Sequence, residues 1–240
     1  MKILITGGNG ALGKSLRKVF KNAFCPGSSK MDVTDKNSVD KAIMKYKPDT
    51  LIHAAALVGI RECEESKELA WKTNVDGTKN IVNALKKLNN NCYLMYISTA
   101  CVFAGENKKF YTEDDIPAPK NYYSLTKLCG EVAAGEYKNT CIIRTNFAPR
   151  GQWKYPKAFV DRFGTYLFAD NAANGTHDVW KKKKTGTVHI VGSKRISMYA
   201  LALLAGSKNV GKMTLKEYNG PPLTIDMSMS TKNWKKYKIK

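Results

Sequence analysis

Residues 2–13 read KILITGGNGALG: a short apolar run, four glycines within seven positions, and then small residues. A brief apolar run closed by glycines reads as a buried strand. From Ala11 to about Phe24 the apolar residues Leu12, Leu16, Val19 and Phe20 recur at helical spacing. The chain must therefore begin as strand, tight turn, helix. Glycines let such a turn bring its backbone close to a pyrophosphate, and the helix N-terminus offers N–H groups and a positive dipole end. The loop predicts a bound dinucleotide, with Gly7, Asn9, Gly10, Ala11, Leu12 and Gly13 around its phosphates.

Two glycine spacings overlap here, Gly8-x-Gly10-x-x-Gly13 and Gly7-x-x-Gly10-x-x-Gly13. The first expects an acid about 20 residues on, closing the second strand and binding ribose hydroxyls. That second strand is expected at 23–25, and CPGSSK (25–30) follows with no acid. Ser28, Ser29 and Lys30 are donors that suit a 2′-phosphate, which favours NADP over NAD. Asp32 comes later, in MDVTD. The later residues described below favour the Gly7-x-x-Gly10-x-x-Gly13 reading.

Strands are expected at TLIHAAA (50–56), CYLMYIS (92–98) and TCIIRT (140–145). Helices are expected from a Thr34 or Asp35 cap to about Tyr46, over 64–88, and over YYSLTKLCGEVAAGEY. This alternation predicts an α/β fold, a Rossmann-type doubly wound parallel sheet. Residues 1–150 form the NAD(P)-binding domain in this reading. Residues 151–240, where the pattern weakens, form a small, reduced C-terminal substrate lobe interleaved with it. There a strand and helix are expected in VDRFGTYLFADNAANGTHDVW, a strand at TVHIVG, and a helix opening at Ser197. The ending TKNWKKYKIK is expected to be loosely held.

The net charge of +20 comes from 34 Lys and only 6 Arg. Base-specific readout leans on the Arg fork, and these lysines are spread over almost every segment, so no nucleic-acid partner is expected. WKKKK (180–184) reads as a solvated helix end, and a positive field would gather phosphate-bearing small ligands. No apolar run is long enough to cross a bilayer, and the start lacks a secretory apolar stretch, so a cytoplasmic protein is expected, with no membrane partner. Cys25, Cys63, Cys92, Cys101, Cys129 and Cys141 are scattered without a C-x-x-C pair, which predicts free thiols and no metal site.

Tyr123-Ser-Leu-Thr-Lys127 is the one place where a Tyr precedes a Lys by four. An i,i+4 pair shares a helix face. A Lys127 ammonium beside the phenol would lower the pKa of Tyr123, readying it to exchange a proton with a carbonyl or alcohol oxygen while hydride moves to or from nicotinamide. Thr99, at the end of the preceding strand, could orient that oxygen. Thr99, Tyr123 and Lys127 are the predicted catalytic residues. Arg144, Arg150 and Lys157 are candidates for a substrate diphosphate.

TGGNGALG (6–13), DVTD (32–35), HAAA (53–56), TNVDGT (73–78), ISTACVF (97–103), YTEDDIPAPKNYYSLTKLCGE (111–131) and IIRTNFAPRG (142–151) follow one order. In these the chain resembles the extended short-chain dehydrogenase/reductase family. Its nearest resemblance is to dTDP-4-dehydrorhamnose reductases and their sugar-nucleotide relatives. The resemblance implies the Gly7-x-x-Gly10-x-x-Gly13 spacing and catalysis by Thr99, Tyr123 and Lys127. It implies that Asp32 and Val33 meet adenine, and that Ala54, Ala55, Ala56, Asn74, Ser98, Thr145, Asn146 and Phe147 line the cofactor site. Val58, Ala100, Cys101, Asn146 and Arg150 would face substrate, and Asp170 would be structural. Ala100 and Cys101 stand where relatives often carry Asp-Tyr, and no acidic pair follows Thr99, which disfavours dehydration. The implied activity is NAD(P)-dependent reduction of a nucleotide-linked keto-sugar. An NAD-dependent epimerase and a non-catalytic NAD(P)-binding regulatory subunit are the alternatives, and a homodimer is implied by analogy.

Overall fold

The computed structural model describes residues 1–106 and 109–239. Five strands form one parallel sheet in the order β1 (Ile3–Thr6), β2 (Thr50–His53), β3 (Tyr93–Thr99), β4 (Thr140–Thr145) and β9 (Gly186–Ile190). Buried on both faces, these strands alternate between two cores. Ile5, Ile52, Met95, Ile97 and Ile143 point to one, with Leu12 and Leu16 of α1 (Ala11–Val19) and Ala172, Ala173 and Val179 of α7 (Ala169–Lys181). Leu4, Leu51, Leu94 and Tyr96 point to the other, with Val39 and Ile43 of α2 (Lys36–Tyr46), Ile81 and Leu85 of α5 (Gly77–Leu88) and Ala134 of α6 (Tyr122–Gly135). Helices on both faces of a parallel sheet are the doubly wound arrangement.

The second strand expected at 23–25 shrinks to a single bridge, Phe24 beside Leu4. Pro26 and Gly27 follow at once and leave no room for a longer ladder. Asp35 caps α2, its side chain accepting the Asn37 N–H at 2.9 Å. The expected long helix over 64–88 is broken into α3 (Ile60–Glu65), α4 (Lys67–Trp71), a π-helical turn over Lys72–Asp76, and α5.

Beyond 150 the strands are short: β5 (Phe147–Ala148), β6 (Lys157–Phe159), β7 (Phe163–Gly164), β8 (Leu167–Phe168), β10 (Ile196–Ser197), β11 (Gly211–Met213) and β12 (Asp226–Met227). They pair as β10-β7-β12, β11-β6 and β5-β8. Helix α8 (Met198–Leu204) opens on Ser197, which caps the Ala200 N–H. Chain from this half returns to the main sheet through α7 and β9.

The tail is not loosely held. Tyr237 brackets the end of β9, its N–H donating to Val191 and its carbonyl accepting from Ser193. Its ring and that of Trp234 pack on the first core, and its hydroxyl reaches Asp178 at 3.0 Å. Glu113 clasps the same segment, accepting the His189 N–H and the Lys232 N–H, both at 2.9 Å, and the Thr231 hydroxyl at 2.6 Å. Its basic composition concealed two half-buried aromatic anchors. Lys181–Lys184 are exposed at the C-terminal end of α7, where cations favour the helix dipole. No helix among the described residues is long and apolar enough to cross a membrane.

Candidate active site

At their carboxyl ends β1 and β2 finish level, Thr6 beside His53 and His53 beside Tyr96, while β3 and β4 run three residues further to Thr99 and Thr145, which lie side by side. Ligands of doubly wound sheets bind at this edge, where the winding direction reverses. Here the reversal falls between β1 and β2, because the chain leaves β1 toward Phe24 and then crosses to β2.

The glycine loop sits at that reversal. Gly7 has φ of +71°, and a Cβ there would lie 2.6 Å from the Ala54 backbone. A Cβ on Gly13 would overlap the Gly7 carbonyl, so α1 can approach the loop only through a glycine. Gly10 donates to the Gly7 carbonyl at 3.0 Å, and a Cβ there would meet nothing closer than that carbonyl at 3.4 Å. Gly7 and Gly13 thus close the loop onto protein, while Gly10 leaves its outer side open at a helix N-terminus. This cradle fits a pyrophosphate. Asn9 and Ala11 are exposed on it, and Leu12 turns into the core.

Gly8 packs against Cys25, and Ser28, Ser29 and Lys30 form the exposed turn that follows. The Asp32 carboxylate accepts both the N–H and the hydroxyl of Thr34 at 2.9 Å. Val33 is buried against Gly77. Ala54, Ala55 and Ala56 are half-buried beside the loop. Asn74, on the π-helical turn, accepts from the Leu57 N–H at 2.8 Å and donates to the Leu57 carbonyl at 3.0 Å and to Thr126 at 2.9 Å. Its amide is spent pinning the 54–58 wall to α6. His53, held between Thr6 and Thr78, is pushed by burial down to about 3, so its ring is neutral.

Tyr123 opens α6, whose Asn121 cap accepts the Ser124 N–H at 2.9 Å. Tyr123 packs against the buried cluster that holds Ala100 and Cys101, the turn directly after Thr99 at the end of β3. Burial pushes the phenol up, Cys101 adds to this, and the nearby Thr99 hydroxyl only partly opposes it. This reverses the expected fall. Lys127 does lie one turn along, but its amine donates to the Ile97 carbonyl at 2.8 Å and sits 4.1 Å from the centre of the Tyr96 ring. Burial drops Lys127 to about 7, with Glu131 pulling the other way. The spacing placed Lys127 on the right face; it could not show that β3 would take up the amine.

Glu131, another turn on, was not singled out by sequence. Ser98 donates to it at 2.5 Å, and Arg144 through Nε at 2.9 Å and Nη2 at 2.7 Å, all three residues being buried. The Ser98 hydroxyl thus faces Glu131, and Arg144, expected as a candidate for a substrate diphosphate, is held in an internal ion pair. The available signal was the four-residue step from Lys127, which puts Glu131 on the same buried face.

On the substrate side, Val58 is exposed, while Ala100 and Cys101 are buried in the turn after Thr99. Among the described residues the Thr145 hydroxyl is buried without a hydrogen-bond partner, and Phe147 is half-buried. The Asn146 amide donates to the Met227 sulfur, at 3.6 Å. Arg150 pairs with Asp170 at 2.8 Å over the Phe168 ring. Lys157 is exposed on β6, in a separate two-stranded sheet.

The sheet, the loop at its reversal and the Thr99–Tyr123 pair define the class, a doubly wound α/β protein of the extended short-chain dehydrogenase/reductase type. The chain belongs to the RmlD substrate binding domain family, whose model matches residues 1–213. It is 32% identical to a dTDP-4-dehydrorhamnose reductase of Aggregatibacter actinomycetemcomitans, over 90% of this chain and 81% of that one. It is 33% identical to methionine adenosyltransferase 2 subunit beta of Pongo abelii, over 76% of this chain and 57% of that one. A solved dTDP-4-dehydrorhamnose reductase from Clostridium acetobutylicum shares its fold with a TM-score of 0.87 and 28% identity, covering 96% of this chain and 90% of that one. The chain spans about half the length of several curated relatives it matches.

Proposed function

We propose that the protein is an NAD(P)-dependent reductase of a nucleotide-linked keto-sugar, similar to the dTDP-4-dehydrorhamnose reductases. The observation that carries this reading is that Tyr123, at the start of α6, packs against the Ala100–Cys101 turn directly after Thr99, at the sheet edge that also holds the glycine cradle. Gly7 to Gly13 hold the cofactor pyrophosphate, and Ser28, Ser29 and Lys30 reach a 2′-phosphate, which favours NADP over NAD. A bound reduced nicotinamide supplies the hydride. Tyr123, whose raised pKa keeps it protonated at neutral pH, delivers a proton to the developing alkoxide. That state suits reduction better than proton abstraction from an alcohol. Thr99 orients the carbonyl oxygen. Lys127, one helical turn on, is held at the Ile97 carbonyl beneath the site.

A second reading is a non-catalytic NAD(P)-binding regulatory subunit, favoured by the similarity to methionine adenosyltransferase 2 subunit beta. A thermal-shift panel of NAD, NADP and nucleotide sugars, followed by turnover assays with NADPH, separates the readings, since a ligand bound only by the folded state raises the melting temperature. Shifts with cofactor and a keto-sugar nucleotide, plus turnover, support the reductase. A cofactor shift without turnover of any nucleotide sugar supports the subunit. Retention of NAD through turnover would point to an epimerase.

A further inference from the structure

Arg162 precedes β7 and is only 7% exposed, yet no carboxylate among the described residues lies within ion-pair distance of it. Its Nε donates to the Thr224 carbonyl at 2.9 Å. Among the described residues its two terminal nitrogens meet thioethers alone, Met198 at 3.4 Å and Met227 at 3.5 Å. Asp226, the acidic neighbour on β12, is taken by Arg195 at 2.8 Å and by the Ser228 N–H at 2.9 Å. Sulfur is a weak acceptor, and a buried charge without strong partners is costly.

Other donors converge on the same sulfur. Asn146 donates to the Met227 sulfur at 3.6 Å, and the Cys101 thiol donates to it at 3.3 Å. Tyr166, 3% exposed, has a buried hydroxyl with no hydrogen-bond partner among the described residues. Gly164 keeps this group tight, since a Cβ there would lie 2.9 Å from the Tyr166 ring and 3.2 Å from the Asn146 amide. The cluster adjoins the reacting residues, because Cys101 lies two residues after Thr99 and shares a buried cluster with Tyr166 and Met227 against which Tyr123 packs. Several buried donors surround one soft, flexible side chain, and strong acceptors are missing from the middle.

We propose that Arg162, with Asn146 and Tyr166, binds an anionic oxygen group of the substrate, phosphate or carboxylate, in the place held here by the Met227 thioether. The assignment rests on the reading of the chain as acting on a nucleotide-linked sugar. The guanidinium fork matches either group with two parallel hydrogen bonds. The diphosphate of a nucleotide sugar and the carboxylate of a sugar acid are the two sources of that chemistry.

Calorimetry with cofactor-saturated protein distinguishes them, using UDP, dTDP and GDP as diphosphate probes and glucuronate as the carboxylate probe. Arg162→Gln is expected to weaken the recognised probe by about tenfold or more and Arg162→Lys by less, with cofactor affinity unchanged. Loss confined to the diphosphates, or to glucuronate, identifies the source. Affinities within twofold of wild type in Arg162→Gln overturn the assignment and leave the nucleotide-sugar reading standing. No binding of any probe to wild type overturns both. Met227→Glu keeps the test open if the arginine variants fail to fold. A carboxylate built in opposite Arg162 should raise the melting temperature and abolish probe binding; a lower melting temperature with probe binding retained overturns the proposal.

Discussion

The two halves of this molecule build their sites in opposite ways. The cofactor cradle is assembled from neighbours in sequence: Gly7, Gly10 and Gly13 lie within one turn, and their fit is decided by backbone approach. The substrate side draws its contacts from far along the chain, with Cys101 and Arg162 both meeting Met227 and Thr224 closing on Arg162 and on Phe103. Local construction tolerates change elsewhere. Distant construction makes the pocket depend on how the whole C-terminal half is seated. Tyr123 stands at the seam, and its contacts belong to both.

The largest effect is expected there. Tyr123→Phe should lower kcat by about 10³-fold or more while leaving NADP affinity within twofold, measured by steady-state kinetics and calorimetry. Near-wild-type turnover would remove Tyr123 from the chemistry and leave the seam purely structural. Next comes the ion pair beneath the site. Glu131→Gln leaves Arg144 buried without its counter-charge and should cost about 3–5 kcal/mol in chemical denaturation. A loss below about 1 kcal/mol would show that Ser98 and solvent compensate.

Lys127 supplies a pH signature. With its folded value near 7 against an ordinary value of 10.5, the unfolded chain binds the proton more tightly. Stability should therefore rise with pH from about 7 toward 10.5, by up to about 1.4 kcal/mol per unit, with no slope from this group below 7. The difference between wild type and Lys127→Met in denaturation from pH 7 to 9 isolates the contribution, because groups common to both chains cancel. A flat difference would place the amine in water.

Glu113→Gln tests the distant half alone. Burial works against the Glu113 charge, but its bonds to Thr231, Lys232 and His189 hold the carboxyl below its ordinary value. Its contribution is present above the unfolded pKa and is lost as the pH falls through the folded one. The variant should cost about 1–3 kcal/mol and speed amide exchange in 228–237, with 3–13 unchanged. Equal exchange in both regions would break the comparison between them. Smallest of all, Lys30→Ala should weaken NADPH by a fewfold more than NADH, since Lys30 is exposed.

The same contrast governs what could be read without coordinates. Strands such as TLIH and TCIIRT are short, almost wholly buried runs that follow helices, so their places and partners follow from pattern. The two-residue strands after 150 are too short for any periodicity to register. Thr99, Tyr123 and Lys127 were legible because strand end and helix start fix them locally. Arg144 looked like a free cation because only the fold decides that it points at Glu131. Arg162 carried no signal in its neighbours, since the sulfur facing it comes 65 residues later.

The Glu113 clasp and the Tyr237 bridge bear on synthesis. As the chain emerges, the glycine loop and its strands can fold while residues 224–237 are still being made. Until those residues arrive, β9 has an open edge, Arg162 lacks Thr224 and Met227, and Glu113 has nothing to hold. A growing chain would then become able to grip its cofactor well before it can recognise a substrate.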